Sequence, residues 1–246
     1  MKVVSLYSIK GGVGKTTAAA NISYLASLDY YRTLLIDLDP QGAASYYFKV
    51  RPHKKLNSRK FAGKNSVDRF IRGSDYENLD LLPADISFRK LDIRFDAGKK
   101  PLKRLKQILA PLKSDYDLVV LDCPPNLTLL SENIFQASDL IIVPTIPTTL
   151  SVRTLEILNG FFEEHELENS KIKPFFSMLE RRKSLHKSTL EEKRGSTAFF
   201  TTCIPYNSAV ERMGINREPV MISSPRSAGA YAFKRLWEEL REELGR

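Results

Sequence analysis

Residues 8–17 read SIKGGVGKTT, a run in which two lysines, Lys10 and Lys15, stand five positions apart among three glycines. Glycines let the backbone turn sharply and bring its N–H groups against phosphate oxygens, and a helix opening behind them adds a favourable dipole. In such a loop Lys15 reaches the outer phosphates of a nucleotide, the Thr16 hydroxyl ligates Mg2+ and Thr17 touches the α-phosphate. Gly11, Gly12, Val13 and Gly14 form the cradle. The usual spacing, G-x-x-x-x-G-K-[ST], puts its first glycine at position 9; here Ile9 is there, and Lys10 is added. One lysine serves one triphosphate, so the second needs another task.

Two carboxylates fit the same chemistry. Asp122 closes YDLVVLDCPP at the end of an apolar run, where an acid holds the metal, usually through water. Asp39, in LLIDLDPQG, lies just past another such end. Each alone is an acid ending a strand; with the loop they make a nucleotide site, with Thr16, Asp39 and Asp122 as metal candidates and ATP and Mg2+ as cofactors. Cys123 and Cys203 sit in apolar runs and are expected as buried thiols. His53, His165 and His186 are too far apart in sequence to suggest a metal and are assigned to the surface.

Positioning these groups requires crossover units. Short β-branched runs at 3–8, 33–37, 79–83, 118–122, 140–144, 174–178 and 199–204 alternate with helical patterns at 16–28, 102–112, 127–137, 152–165, 188–194 and 228–244. TLLID and LVVLD lack polar alternation, as a parallel strand buried on both faces should. The fold class is α/β, a P-loop NTPase with a mainly parallel twisted sheet flanked by helices on both faces. With no repeat or linker, residues 1–246 are expected to form a single domain.

Net charge is +9, and it is blocked: +2 over residues 1–50, +9 over 51–110, −8 over 111–170 and +6 over 171–246. Such asymmetry suggests a polyanion partner for one face. Residues 50–65, VRPHKKLNSRKFAGKN, carry six Lys or Arg and no acid, and read either as a solvated loop or as a contact to nucleic acid or a partner. No apolar run approaches the roughly 18 residues of a membrane span, and the opening MKVVSLYS lacks a signal-peptide layout, so a soluble cytoplasmic protein is expected.

KGGVGKTT, LLIDLDPQGAAS, YDLVVLDCPP and IPYNSAVERMGINREPV together resemble the ParA family of partition ATPases, in the deviant-Walker group that includes MinD. NLDLLPADISFRKLD and PRSAGAYAFKRLWEEL match in style, so the similarity spans nearly the whole chain. The resemblance implies an ATP-dependent homodimer with two ATP molecules sandwiched between subunits. Lys10 matches the signature lysine that reaches the neighbour's phosphates, which gives the added lysine its task. Lys10, Lys15 and Asp39 are the candidate catalytic residues, with Asp39 positioning the attacking water and Asp122 belonging to the switch after the metal strand. Pro205 and Asn207 match positions that contact the base.

What the dimer would adhere to divides these relatives. In AYAFKRLWEELREEL, Ala230, Phe233, Leu236, Trp237, Leu240 and Leu244 form one stripe, while Glu238, Glu239, Glu242 and Glu243 disfavour an anionic bilayer, so the helix is expected to pack on the protein. Non-specific DNA binding needs only clustered cations. Arg181, Arg182, Lys183, Lys187, Arg226, Lys234 and Arg235 are the candidates, resembling the surface on which ParA-type dimers hold DNA. Tyr206 departs from the Arg that many relatives carry there, and with the loop beginning by residue 10 no N-terminal helix-turn-helix is expected. The reading is a nucleoid-associated ATPase with a ParB-like adaptor and no membrane partner, positioning a plasmid or chromosome, or a protein compartment or chemosensory cluster. A MinD-like membrane regulator and a small-molecule kinase or synthetase are the alternatives.

Overall fold

A computed structural model describes residues 1–63, 67–193 and 198–245. Its strands are β1 (Lys2–Leu6), β2 (Thr33–Asp37), β3 (Arg72–Gly73), β4 (Leu79–Leu82), β5 (Leu118–Asp122), β6 (Leu140–Thr145) and β7 (Ile172–Phe176). They form one sheet in the order β3-β4-β2-β5-β1-β6-β7. Every pairing is parallel except that of β3 with β4.

Successive side chains of a strand point to opposite faces, and here both faces are covered. Leu34, Ile36, Val119, Leu121, Ile141 and Val143 enter one core with the helices Leu91–Asp96, Arg104–Leu109, Leu129–Ala137 and Thr149–Glu164. The intervening Leu35, Val120 and Ile142 enter the other, against the helices Lys15–Leu28 and Ala228–Glu243. Lys15–Leu28 is rich in alanine and lies between sheet and C-terminal helix, so Ala18, Ala19, Ala20 and Ala26 are all fully buried. The C-terminal helix starts at Ser227, whose hydroxyl accepts from Ala230 N, and its apolar stripe is buried as expected. Trp237 Nε1 donates to Asp29 at 2.7 Å and fixes its rotation.

Several expectations change. Residues 199–204 are not a strand: Phe200 N and Ile204 N donate to Pro174 O and Phe176 O, but between them the chain leaves β7. Glu239 draws it away, its carboxylate accepting from the amides of Thr201 and Thr202 at 2.7 and 2.9 Å and from both hydroxyls. The helix expected over 102–112 is three pieces, Pro101–Lys103, Arg104–Leu109 and Ala110–Ser114, because Pro111 removes an N–H and crowds the preceding turn. The helix expected over 188–194 begins earlier, as Ser184–Glu192, with position 194 outside the described residues. Within 50–65 a short helix, Ser58–Phe61, buries Phe61 against Phe88 at 4.9 Å between ring centroids, so this is no simple solvated loop; Lys64 and Asn65 lie outside the described residues. His186 is not on the surface but 3% exposed, its Nδ1 accepting from Glu180 N. Cys123 is buried and free, while Cys203 is free and only partly buried.

Glu239→Ala should strand the amides and hydroxyls of Thr201 and Thr202, at about 1–3 kcal/mol for lost partners of a charged acceptor. Urea unfolding should show a lower midpoint, and these two amides should exchange faster. Unchanged exchange there would mean the carboxylate does not hold the segment.

Candidate functional site

The glycine loop leaves the interior strand β1 and enters the helix Lys15–Leu28. Gly12 and Gly14 have φ of 70° and 94°, the left-handed region that a Cβ disfavours. A Cβ built on Gly11 or Gly12 would meet nothing within 4 Å, so the loop borders open space wide enough for a ligand. Gly14 caps the helix without a side-chain acceptor, and the first turn carries no acid, which leaves N–H groups free for an anion. Ser177 Oγ donates to Val13 O at 2.9 Å and ties the loop to the end of β7. Lys15 is 7% exposed and its Nζ donates to Lys10 O at 3.2 Å. Burial lowers its pKa, opposed by the charges of Asp122, Cys123 and Asp39.

Beneath the loop lie two acids. Asp37 and Asp122 end β2 and β5 as direct register partners, and both are fully buried. Asp37 Oδ2 accepts from Ser45 N and Ser45 Oγ at 2.8 and 2.6 Å, while its Oδ1 and both oxygens of Asp122 lack a partner. Burial is the main cause lifting the Asp37 carboxyl to about 6. Burial, and then the charge of Asp37, pushes Asp122 well above the usual range, against the Thr16 hydroxyl, which lies near but outside hydrogen-bond geometry, and Lys15. Orphaned carboxylate oxygens facing a threonine hydroxyl suit a hard cation such as Mg2+. Among the described residues no three His, Cys, Asp or Glu are grouped to hold a metal, so its remaining ligands would be water and phosphate oxygens. Asp39 is half-buried, its Oδ1 accepting from Gln41 N at 2.9 Å. Asp37 escaped the sequence reading, although it ends TLLID just as Asp122 ends LVVLD.

Beside the loop is a pocket of about 120 Å3 whose walls include Gly14, Thr17, Phe175, Met178, Pro205, Asn207 and Val210. The fold therefore brings Pro205 and Asn207 to the loop. Asn207 caps a short helix, accepting from Ala209 N, and Pro205 bridges to Leu179. Phe175, Met178 and Val210 carry no sequence signal that would have placed them here.

All seven candidate cations are exposed. Arg181, Lys187 and Arg235 line one groove of about 800 Å3, together with Thr201, Tyr231 and Pro205. Arg182, Lys183, Arg226 and Lys234 do not line it; Lys183 pairs with Glu180 at 2.5 Å and Lys234 lies 6.0 Å from the Tyr231 ring centroid. Lys10 turns out of its own loop: its Nζ donates to Ser151 Oγ at 3.1 Å, on the helix Thr149–Glu164. That helix exposes Leu150 and Ile157, at 67% and 53%.

A family model described as an AAA domain matches residues 1–174. The sporulation initiation inhibitor protein Soj of Bacillus subtilis is 30% identical over 250 residues, covering 97% of this chain and 98% of Soj. A Borrelia burgdorferi protein assigned to plasmid partition, solved with AMPPNP, superposes with a TM-score of 0.84 at 24% identity, covering 98% of each chain. Cobyrinic acid a,c-diamide synthase of Mycobacterium smegmatis, solved with an ATP analogue and magnesium, gives a TM-score of 0.81 at 25% identity, covering 100% of this chain and 97% of that one.

In the nucleotide-free, metal-free protein the Asp37 carboxyl titrates at about 6, against 3.8 for the unperturbed group. Between those values the folded state holds the extra proton, so this group makes stability fall as pH rises from about 4 to about 6. Asp37→Asn should remove that fall: its thermal midpoint should exceed the parent's near about pH 7.5 and converge with it near about pH 4. The variant should also lose Mg2+-dependent nucleotide retention. Parallel pH profiles for the two proteins would defeat the assignment.

Proposed function

Because the chain belongs to the AAA domain family, among its ParA/MinD partition-type ATPases, we propose that residues 1–246 act as one deviant-Walker domain that dimerises on ATP and positions cargo. The observation that carries this reading is the direction of Lys10. Its amine leaves its own phosphate loop and donates to Ser151 Oγ on the helix Thr149–Glu164, which also exposes Leu150 and Ile157, apolar side chains suited to a second copy. Two triphosphates facing one another repel, and a cation given by each subunit to the other's nucleotide offsets that repulsion and the charge that develops during phosphoryl transfer.

On this reading the roles divide among the residues already described. Loop amides and Lys15 hold the β- and γ-phosphates, Thr17 lies toward the α-phosphate, and Pro205 and Asn207 flank the base. Thr16, Asp122 and Asp37 would hold Mg2+, which supplies charge neutralisation between the β- and γ-phosphates when bound. Asp39, held by its own turn yet half-exposed, orients the attacking water. Hydrolysis removes the γ-phosphate contacts and loosens the dimer.

The groove of Arg181, Lys187 and Arg235 supports non-specific binding to DNA phosphates, and dimerisation doubles the charge presented. A ParB-like adaptor would stimulate turnover, and the cargo would be a plasmid or chromosome, with the protein on the nucleoid. Against the membrane reading, the apolar stripe of the C-terminal helix is spent on the protein's own core, and among the described residues no helix is long and apolar enough to cross a bilayer.

Lys10→Ala should retain ATP but lose its ATP-dependent dimer in sedimentation; normal dimerisation and turnover would remove the lysine from a role in trans. The Arg181→Ala, Lys187→Ala, Arg235→Ala triple variant should weaken retention on plasmid DNA for all sequences alike, with a shallower salt dependence. Pelleting of the parent with liposomes, without DNA retention, would favour the MinD-like alternative instead.

A further inference from the structure

The densest positive stretch, residues 51–110 with net +9, has no part in the nucleotide site or the groove. We infer that its exposed cations form a second surface for the phosphate backbone of nucleic acid, distinct from the groove. Six residues carry the argument: Arg51, Lys54, Lys55, Arg59, Arg89 and Arg94, all exposed. They come from segments that share one support. Leu56, Phe61, Phe88, Leu91 and Phe95 are buried in the same core, Ser58 N donates to Ser87 Oγ at 2.7 Å, and the helices Ser58–Phe61 and Leu91–Asp96 pack together.

Some cations elsewhere find acids: Arg32 pairs with Asp117, Arg241 with Asp29, Lys183 with Glu180. Among the described residues none of these six makes an ion pair. The stretch does contain seven acids, and the fold engages four of them. Asp80 accepts from the Tyr116 hydroxyl, Asp85 from Ser87 N, Asp92 from Leu130 N and Asp68 from Arg69 N. With Asp75, Glu77 and Asp96 also exposed, the sixteen Lys and Arg of the stretch still outnumber its seven acids, so the surface carries a net local positive field. Four of the six are arginines, whose planar fork suits phosphate oxygens.

Topology separates this face from the groove. The basic segments follow β2 and β4, toward one margin of the sheet, whereas the groove borders β7 at the other. One subunit would then meet two stretches of nucleic acid. This goes beyond the proposed function, since it does not need the groove.

The test is an Arg51→Ala, Arg59→Ala, Arg89→Ala, Arg94→Ala variant of the full chain with ATP and Mg2+. DNA affinity is measured from 50 to 200 mM salt beside the groove triple variant, and the thermal midpoint confirms folding. Each lost phosphate contact makes the slope of log affinity against log salt shallower by about 0.9, so a loss of about 2–4 is expected. The corresponding four Arg→Lys changes should restore most of the slope, and ATP turnover without DNA should stay at the parent's rate. A parental slope in the folded Ala variant overturns the inference. So does loss of binding to poly-glutamate with DNA binding intact, which would make the face a site for an acidic protein. If the groove variant alone binds normally, the groove reading falls and this one stands.

Discussion

Two carboxylates that cannot both remain charged without help set the terms for the rest of the molecule. Asp37 and Asp122 end neighbouring parallel strands in register, fully buried, with three oxygens lacking a hydrogen-bond partner among the described residues. An ionised carboxylate removed from water is costly unless a cation or donors answer it. The nearest cation in the loop, Lys15, is itself disfavoured by burial. The folded site is therefore short of positive charge, and either protons or a metal carried with a nucleotide supplies it. Open α/β sheets gather ligands beyond the carboxyl ends of their strands, and here that region holds an unmet electrostatic demand.

The same shortage explains the rest of the site. A helix N-terminus without an acidic cap adds partial positive charge from β1, glycines expose amides at the loop, and Ser177 fastens that loop to β7. All of this draws a polyanion inward. Once one is seated, the excess becomes negative, and on the proposed reading Lys10 of a second copy would relieve it. Catalysis and assembly then draw on one charge balance.

Local pattern carried much of this. TLLID and LVVLD announced doubly buried strands, and β2 and β5 have those bounds. The loop was legible because its function lies in backbone and spacing. Asp37 was missed because the reading stopped at Asp39, the more accessible acid of the same motif. The pocket beside the loop draws its walls from segments near residues 14, 175, 205 and 210, a convergence no local window contains. Residues 199–204 had a strand's composition, but a side chain about forty positions later took their amides. His186 and Phe61 were read as surface or loop because burial by tertiary packing leaves no periodic trace in so short a segment. Of seven cations grouped by sequence, three meet in one groove, since neighbours along a turn point in different directions.

Pro205 lines both the pocket beside the phosphate loop and the basic groove. A shared partition makes the two chambers poor strangers: an occupant that shifts it in one reshapes the other. Linkage makes such an influence mutual, so whatever factor the first occupant imposes on the second's affinity is returned in full. Communication across this part of the molecule needs no long relay, because the distance to be covered is the thickness of one residue.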